Sequence, residues 1–337
     1  MKVSDIGEFG LIDLLDKMAS KAEVRATTAG EELIIGIGDD TAAWRGDTSV
    51  QLATVDSLIQ DVHFTLDIIP WEELGWRAIT ANLSDIAAMG GRPRYALVSL
   101  ALPGDTEVAD VTALYKGMIE LARQFEVAII GGDTSRAPLV IINITVLGNN
   151  ESSHILTRSA ARPREKVAVT GHLGASAAGL EMLTKGLQFN PGAMTVLTRA
   201  FRQPWPRVVE GQILVEQGVR AAIDISDGLV ADLKHICQAS RVGARIEIDR
   251  VPVRSEVAAN FPDRAMELAL SGGEDYELLF TASTEVMERV KEAVSCPVTV
   301  IGDITAENAG EIVLLDRNGN TVDQVSAGWD HFSRRAS

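Results

Sequence analysis

The stretch Asn82-Leu83-Ser84-Asp85-Ile86-Ala87-Ala88-Met89-Gly90-Gly91 sets a single carboxylate among small and apolar residues. At helical spacing Asn82, Asp85 and Met89 fall on one face, and the alanines beside them let another backbone or a ligand come close. The glycine pair and then Pro93 stop the helix. A lone Asp in such a place would cap or hydrogen-bond locally. Four other Asp clusters each lie at the end of an apolar run, and a shared metal and phosphate site accounts for all of them.

Outward from this helix the pattern repeats. Leu33-Ile34-Ile35-Gly36-Ile37-Gly38-Asp39-Asp40 reads as a short strand and turn with two acids, and no Gly-Lys-Ser/Thr closes it as a Walker loop would. Gln51 to Asp56 reads as a strand ending in a carboxylate, with His63 just beyond. A helix spans Trp71 to Gly90, a strand Tyr95 to Leu102 and a helix about Val108 to Gln124. A buried-type strand, Val127 to Thr134, is expected to carry Gly131, Gly132 and Asp133 at its exit. Leu139 to Leu147 is another strand, and Gly148-Asn149-Asn150 marks the way out of a first domain.

The second domain opens with the strand Lys166 to Thr170. A small-residue turn, Gly171 to Gly179, then feeds a helix to about Gly186, a start whose backbone N–H groups suit an anion. Ala221 to Asp224 is a strand, and Asp227 is placed to cap the helix that follows. Ser271 to Phe280 sets Glu274 and Asp275 just ahead of a strand. An amphipathic helix is expected over residues 9 to 21, and the tail Gly328-Trp329-Asp330-His331-Phe332 is expected to dock. The fold class is therefore α/β with α+β character, in two domains at residues 1–149 and 150–337.

Composition narrows the chemistry. A net charge of −16 argues against a nucleic-acid partner, which would need Lys and Arg for its phosphates. Divalent cations reverse that logic for a nucleotide, since carboxylates hold the cations and the cations hold the phosphates. No run approaches the roughly 20 apolar residues of a membrane helix, and no signal peptide is expected from the opening residues. Cys237 and Cys296 make neither a disulfide framework nor a zinc site, so a reducing cytoplasm is expected. Asp40, Asp56, Asp85, Asp133, Asp224 and Asp227, at strand ends, are expected to meet on one rim of an open sheet. Ionised together they repel, and oxygen-only ligands favour Mg2+, Mn2+ or Ca2+.

Gly36-Ile-Gly-Asp-Asp40, Thr54-Val-Asp56, Asn82 to Gly90, Gly131-Gly-Asp133-Thr, Asp224-Ile-Ser-Asp227-Gly228 and Ser271-Gly-Gly-Glu274-Asp-Tyr-Glu277, in this order, resemble the motif series of the thiamine-monophosphate kinase family. Its superfamily also holds aminoimidazole ribonucleotide synthetase, selenophosphate synthetase and a hydrogenase maturation factor. The resemblance implies transfer of the ATP γ-phosphoryl group to thiamine monophosphate. It implies several Mg2+ ions on Asp40, Thr54, Val55, Asp56, Asp85, Asp133, Asp224 and Asp227. It implies ATP contacts from Tyr115, Gly132, Asp133, Arg158 and Ser226, and contacts to thiamine monophosphate from His63, Glu274 and Trp329. A homodimer paired through the N-terminal sheets is implied as well. Val55 stands where the family commonly has Thr, so any metal contact there is expected from its backbone carbonyl. Ala137 and Ala175 replace a usual Gly and Asp. The rival readings are another ATP-dependent synthetase of the superfamily and a non-catalytic cation or nucleotide binder.

Overall fold

The computed structural model describes residues 32–35, 40, 42–45, 49–152 and 154–322. The helix expected at 9–21, Gly36 to Asp39 and the tail with Trp329 lie outside the described residues.

The first half builds a six-stranded sheet from β1 (Glu32–Ile35), β2 (Ala42–Arg45), β3 (Val50–Ile59), β4 (Arg92–Leu102), β5 (Ala128–Arg136) and β6 (Ile141–Asn150), in the order β1-β2-β3-β6-β4-β5. β6 shows why it is central: it alternates strictly between half-buried and buried positions, and Ile142, Ile144 and Val146 go inward. That inner face is covered by α1 (Trp71–Ala88) and α2 (Val108–Gln124). The two helices touch backbone to backbone. A Cβ on Gly75 would lie 1.9 Å from the Leu114 carbonyl oxygen, and one on Gly117 would lie 1.8 Å from that of Glu72.

The second half builds a seven-stranded sheet from β7 (Lys166–Thr170), β8 (Ala221–Asp224), β9 (Gly243–Glu247), β10 (Leu278–Ala282), β11 (Val298–Thr305), β12 (Ile312–Leu315) and β13 (Thr321–Val322). Its order is β13-β12-β9-β11-β7-β10-β8. Its helices are α3 (Ala175–Lys185), α4 (Pro191–Arg202), α5 (Val208–Gln217), α6 (Leu229–Ser240), α7 (Ser255–Asn260), α8 (Ala265–Ser271) and α9 (Thr284–Ala293). The mixed α/β architecture in two sheets is the expected one. Among the described residues no helix is long and apolar enough to cross a membrane.

α1 joins the halves. It is buried on nearly every side, as a helix without a polar face must be. Its last turn meets α5 so closely that a Cβ on Gly211 would sit 2.1 Å from the Ala87 carbonyl oxygen. Leu156, Leu214, Leu278 and Phe280 accordingly share one core with Leu83 and Ile86.

Three expectations change. The Val127–Thr134 run was expected to be a buried strand, yet β5 is an edge strand exposed along most of its length, with Ile130 54% exposed. Asp56 does not end its strand, because β6 pairs with β3 from Val50 to Ile59. Both sheets are largely antiparallel, β4 with β5 and β9 with β12 being the parallel pairs. The carboxylates therefore do not share a rim of parallel strand ends.

Candidate active site

β2 pairs with β3 only as far as Ala53, so Thr54, Val55 and Asp56 run on past its end, and Asp40 lies just ahead of β2 on the same side. From α1, Asp85 accepts a 2.5 Å hydrogen bond from Thr54 Oγ1. The neighbouring Ser84 Oγ donates to Asp224 Oδ2 at 2.7 Å, and Asp224 is the last residue of β8. One carboxylate oxygen each of Asp40, Asp85 and Asp224 lies within 4.8 Å of the others, although the three come from distant parts of the chain. Arg158, in a short 3-10 turn (Arg158–Ala160) between the two sheets, makes an ion pair with Asp40.

The electrostatics fit a place built for a cation. Burial, reinforced by the charges of Asp56, Asp224 and Asp40, holds the Asp85 carboxyl well above the usual carboxylate range. Burial, with Asp40 next, pushes Asp224 up to about 8. Burial likewise raises Asp40, against the pull of Arg158, and raises Asp56, which hydrogen-bonds Asp85. Clustered, desolvated carboxylates are costly when ionised unless positive charge joins them. Oxygen donors at this separation suit a hard cation such as Mg2+.

Two loops frame the cluster. In the first, the backbone N–H groups of Ser226, Asp227 and Gly228 all point at Asp232 Oδ2, at 3.1, 3.2 and 3.0 Å. Asp227 was expected to cap α6. The N-cap position is instead Gly228, with no side-chain cap hydrogen bond, and Asp232, from the helix's own first turn, holds the loop ahead of the helix rather than capping it. In the second, residues 272–277, Glu274 and Tyr276 have φ of 66° and 50°, in the left-handed region. The loops are zipped together: Glu274 N–H donates to the Ser226 carbonyl at 2.8 Å and Tyr276 N–H to that of Ile225 at 3.0 Å. Asp275 accepts from the N–H groups of Gly174 and Ser176 at 2.8 and 3.3 Å, so these two anion-binding donors at the start of α3 are taken. Glu274 pairs with Arg77 of α1.

The remaining expected residues are dispersed. Val55 turns outward and is 61% exposed. His63 Nδ1 accepts from the Ile59 N–H at 3.0 Å. Tyr115, half-buried on α2, lines an open cavity of about 1220 Å³ with Leu102, Val111 and Thr134, and burial raises its phenol pKa. Gly132 and Asp133 lie exposed on β5. Asp56 is opposite Ile144, Ile144 opposite Val98 and Val98 opposite Gly132, so three strand spacings, roughly 14 Å, separate Asp56 from that edge. Asp133 thus stands apart from the carboxylate cluster of its own chain.

Asp232, Arg77 and the role of Ser84 escape the sequence reading. The available signals were a charge inside an apolar helix, for Arg77, and an acid in the first turn after Asp-Gly, for Asp232.

The family models described as AIR synthase related protein, N-terminal domain and C-terminal domain match residues 38–149 and 163–314. The thiamine-monophosphate kinase of Bacillus subtilis (strain 168) is 38% identical over 307 residues, 88% of this chain and 93% of its own length. That of Escherichia coli (strain K12) is 35% identical over 333 residues, covering 97% and 98%. Among solved structures, AaThiL complexed with AMPPCP and TMP superposes with a TM-score of 0.85 at 33% identity, covering 98% of this chain and 99% of that one. The hydrogenase maturation protein HypE of E. coli, at 21% identity and a TM-score of 0.69 over 82% of this chain and 85% of its own, shares the fold.

Proposed function

The chain belongs to the thiamine-monophosphate kinase family of AIR synthase related proteins, and on that premise we propose that it transfers the γ-phosphoryl group of ATP to thiamine monophosphate, giving thiamine diphosphate and ADP. The observation that carries this reading is the convergence of Asp40, Asp85 and Asp224 within 4.8 Å, with Asp56 beside them and Arg158 against Asp40.

The reaction needs no general base. A phosphate monoester has a second pKa near 6, so the attacking oxygen of the acceptor is already largely anionic at neutral pH. What remains is to hold two phosphates in line and offset their repulsion. Asp40, Thr54, the Val55 carbonyl, Asp56, Asp85, Asp224 and Asp227 would hold Mg2+, which when bound supplies the positive charge that stabilises phosphoryl transfer. Ser84 and Thr54 fix the carboxylates of Asp224 and Asp85 by donating to them, and Asp232 fixes the loop that carries Ser226 and Asp227. Arg158, Ser226, Gly132 and Tyr115 contact ATP in this reading, and His63, Glu274 and Trp329 contact thiamine monophosphate.

The unit of function is a homodimer. Support comes from the outer face of the first sheet, where Val55, Leu97 and Tyr95 are exposed on one side, and from the exposed edge β5 that carries Asp133. Residues 1–149 supply the metal-binding and pairing domain, and 150–337 complete the site. Two free cysteines, Cys237 and Cys296, accord with a reducing cytoplasm.

Incubation with ATP, Mg2+ and thiamine monophosphate, followed by chromatography, is expected to show thiamine diphosphate and ADP in equal amounts. Metal uptake with no ATP consumed on adding thiamine monophosphate would overturn the assignment.

A further inference from the structure

We infer that Arg77 is a positioning residue, a strut from α1 that fixes the carboxylate of Glu274 for the organic acceptor. The inference rests on the reading of Glu274 as a contact of thiamine monophosphate. The Arg77 side chain is 1% exposed, in a helix whose other buried positions are mostly apolar or small. α4 holds it at two points: Nη1 donates to the Phe201 carbonyl at 2.5 Å, and the guanidinium lies 4.3 Å over the Phe201 ring. With both fixed, the planar fork has one direction left, and there Nη2 meets Glu274 Oε1.

Glu274 is constrained from the other side. Its left-handed backbone is pinned to Ser226, and a Cβ on the preceding Gly273 would stand 2.4 Å from the Ser226 carbonyl oxygen, so the two loops pack there with no space for a side chain between them. The side chain remains 32% exposed. One carboxylate oxygen is thus held by Arg77 while the group still opens outward to accept from a donor on the acceptor molecule. Stability alone is a weak account of the pair, because apolar side chains would fill the same space without desolvating two charges. The geometry also ties acceptor orientation to closure between the halves, since Arg77 comes from the first and both its partners from the second.

The test measures KM for thiamine monophosphate, KM for ATP and kcat for Arg77→Met and Arg77→Lys, each in the Glu274 and the Glu274→Ala backgrounds. Expected is a rise in KM for thiamine monophosphate of roughly tenfold or more for Arg77→Met, smaller for Arg77→Lys, with KM for ATP unchanged and no further rise once Glu274 is Ala. If Arg77→Met fails to fold, Arg77→Lys, which keeps the charge and loses the fork, carries the comparison. If Glu274→Ala leaves KM for thiamine monophosphate unchanged, the reading of Glu274 falls and the inference with it. If Glu274→Ala raises it but the Arg77 variants do not, or add the same factor in both backgrounds, or raise KM for ATP equally, the inference is overturned and that reading stands.

Discussion

Ser84 Oγ, on a helix of the first half, donates a 2.7 Å hydrogen bond to Asp224 Oδ2, at the end of a strand of the second half 140 residues later. The bond is buried, and it sets a carboxylate of one half beside Asp85 of the other. Neither half carries the cluster alone.

Asp224→Asn is expected to lower kcat by about a hundredfold or more, because it removes one of three converging charges that would hold the cation. The metal-free protein should melt no lower than the parent, since the amide can still accept from Ser84 and carries no charge that burial would penalise. Steady-state kinetics at saturating Mg2+ and thermal melts in chelator check the two halves of this expectation. Near-normal turnover would take Asp224 out of the site.

Mg2+ binding is expected to release protons and to weaken as the pH falls from about 8, the range to which burial pushes Asp224. The sign follows from the ligand's needs: a metal takes the ionised carboxylate, and the folded protein favours the neutral one. Calorimetry in buffers of different ionisation enthalpy reads the protons directly, and an enthalpy identical in all buffers would contradict it. Chelation should abolish phosphoryl transfer and Mg2+ should restore it.

Asp275, in the second of the loops that frame the cluster, gives a separate pH signature through its own bonds to the start of α3. Burial pushes its carboxyl from 3.8 up to about 7, against hydrogen bonds from the Gly174 and Ser176 N–H groups. A group whose pKa is higher folded than unfolded contributes stability that is complete below the unfolded value and is lost as the pH rises through the folded one. Relative to Asp275→Asn, the parent should therefore lose stability between about pH 4 and pH 7. Urea melts at pH 4.5 and 7.5, which bracket that window to within about half a unit, test it, and parallel profiles would refute it.

Asp232→Ala is expected to cost about 2 kcal/mol or more, because three backbone donors lose a shared buried acceptor. Asp232→Asn keeps an acceptor oxygen and should cost less. Turnover should fall with both, as the loop bearing Ser226 and Asp227 loosens. Denaturant midpoints with an unchanged slope measure the first effect, and kcat the second.

The sequence made some of this plain and left the rest hidden. Helical period and the Gly90-Gly91 stop locate α1 nearly to the residue, and a carboxylate within its apolar run singles out Asp85. Local period does not encode which strands pair. For that reason the sequence presents Asp56 as a strand end although β6 carries β3 onward, and β5 as a buried strand although nothing flanks its outer edge among the described residues. The separation of Asp133 from Asp56 is a property of strand order alone. Asp232 was hidden because its acceptor role depends on the turn ahead of it, and Arg77 because its partners lie 124 and 197 positions away in the chain.

The seam along α1 has an evolutionary corollary. Gly211 against Ala87, Ser84 against Asp224 and Arg77 against Glu274 are matched across it, so each half depends on what the other presents at these three places. A chimera joining the front of this chain to the back of a diverged relative is expected to fit only where that relative keeps the matching residue at each of these pairs and in the core the halves share. Lineages carrying this architecture are therefore expected to exchange it whole, with compensating changes travelling in pairs across the helix.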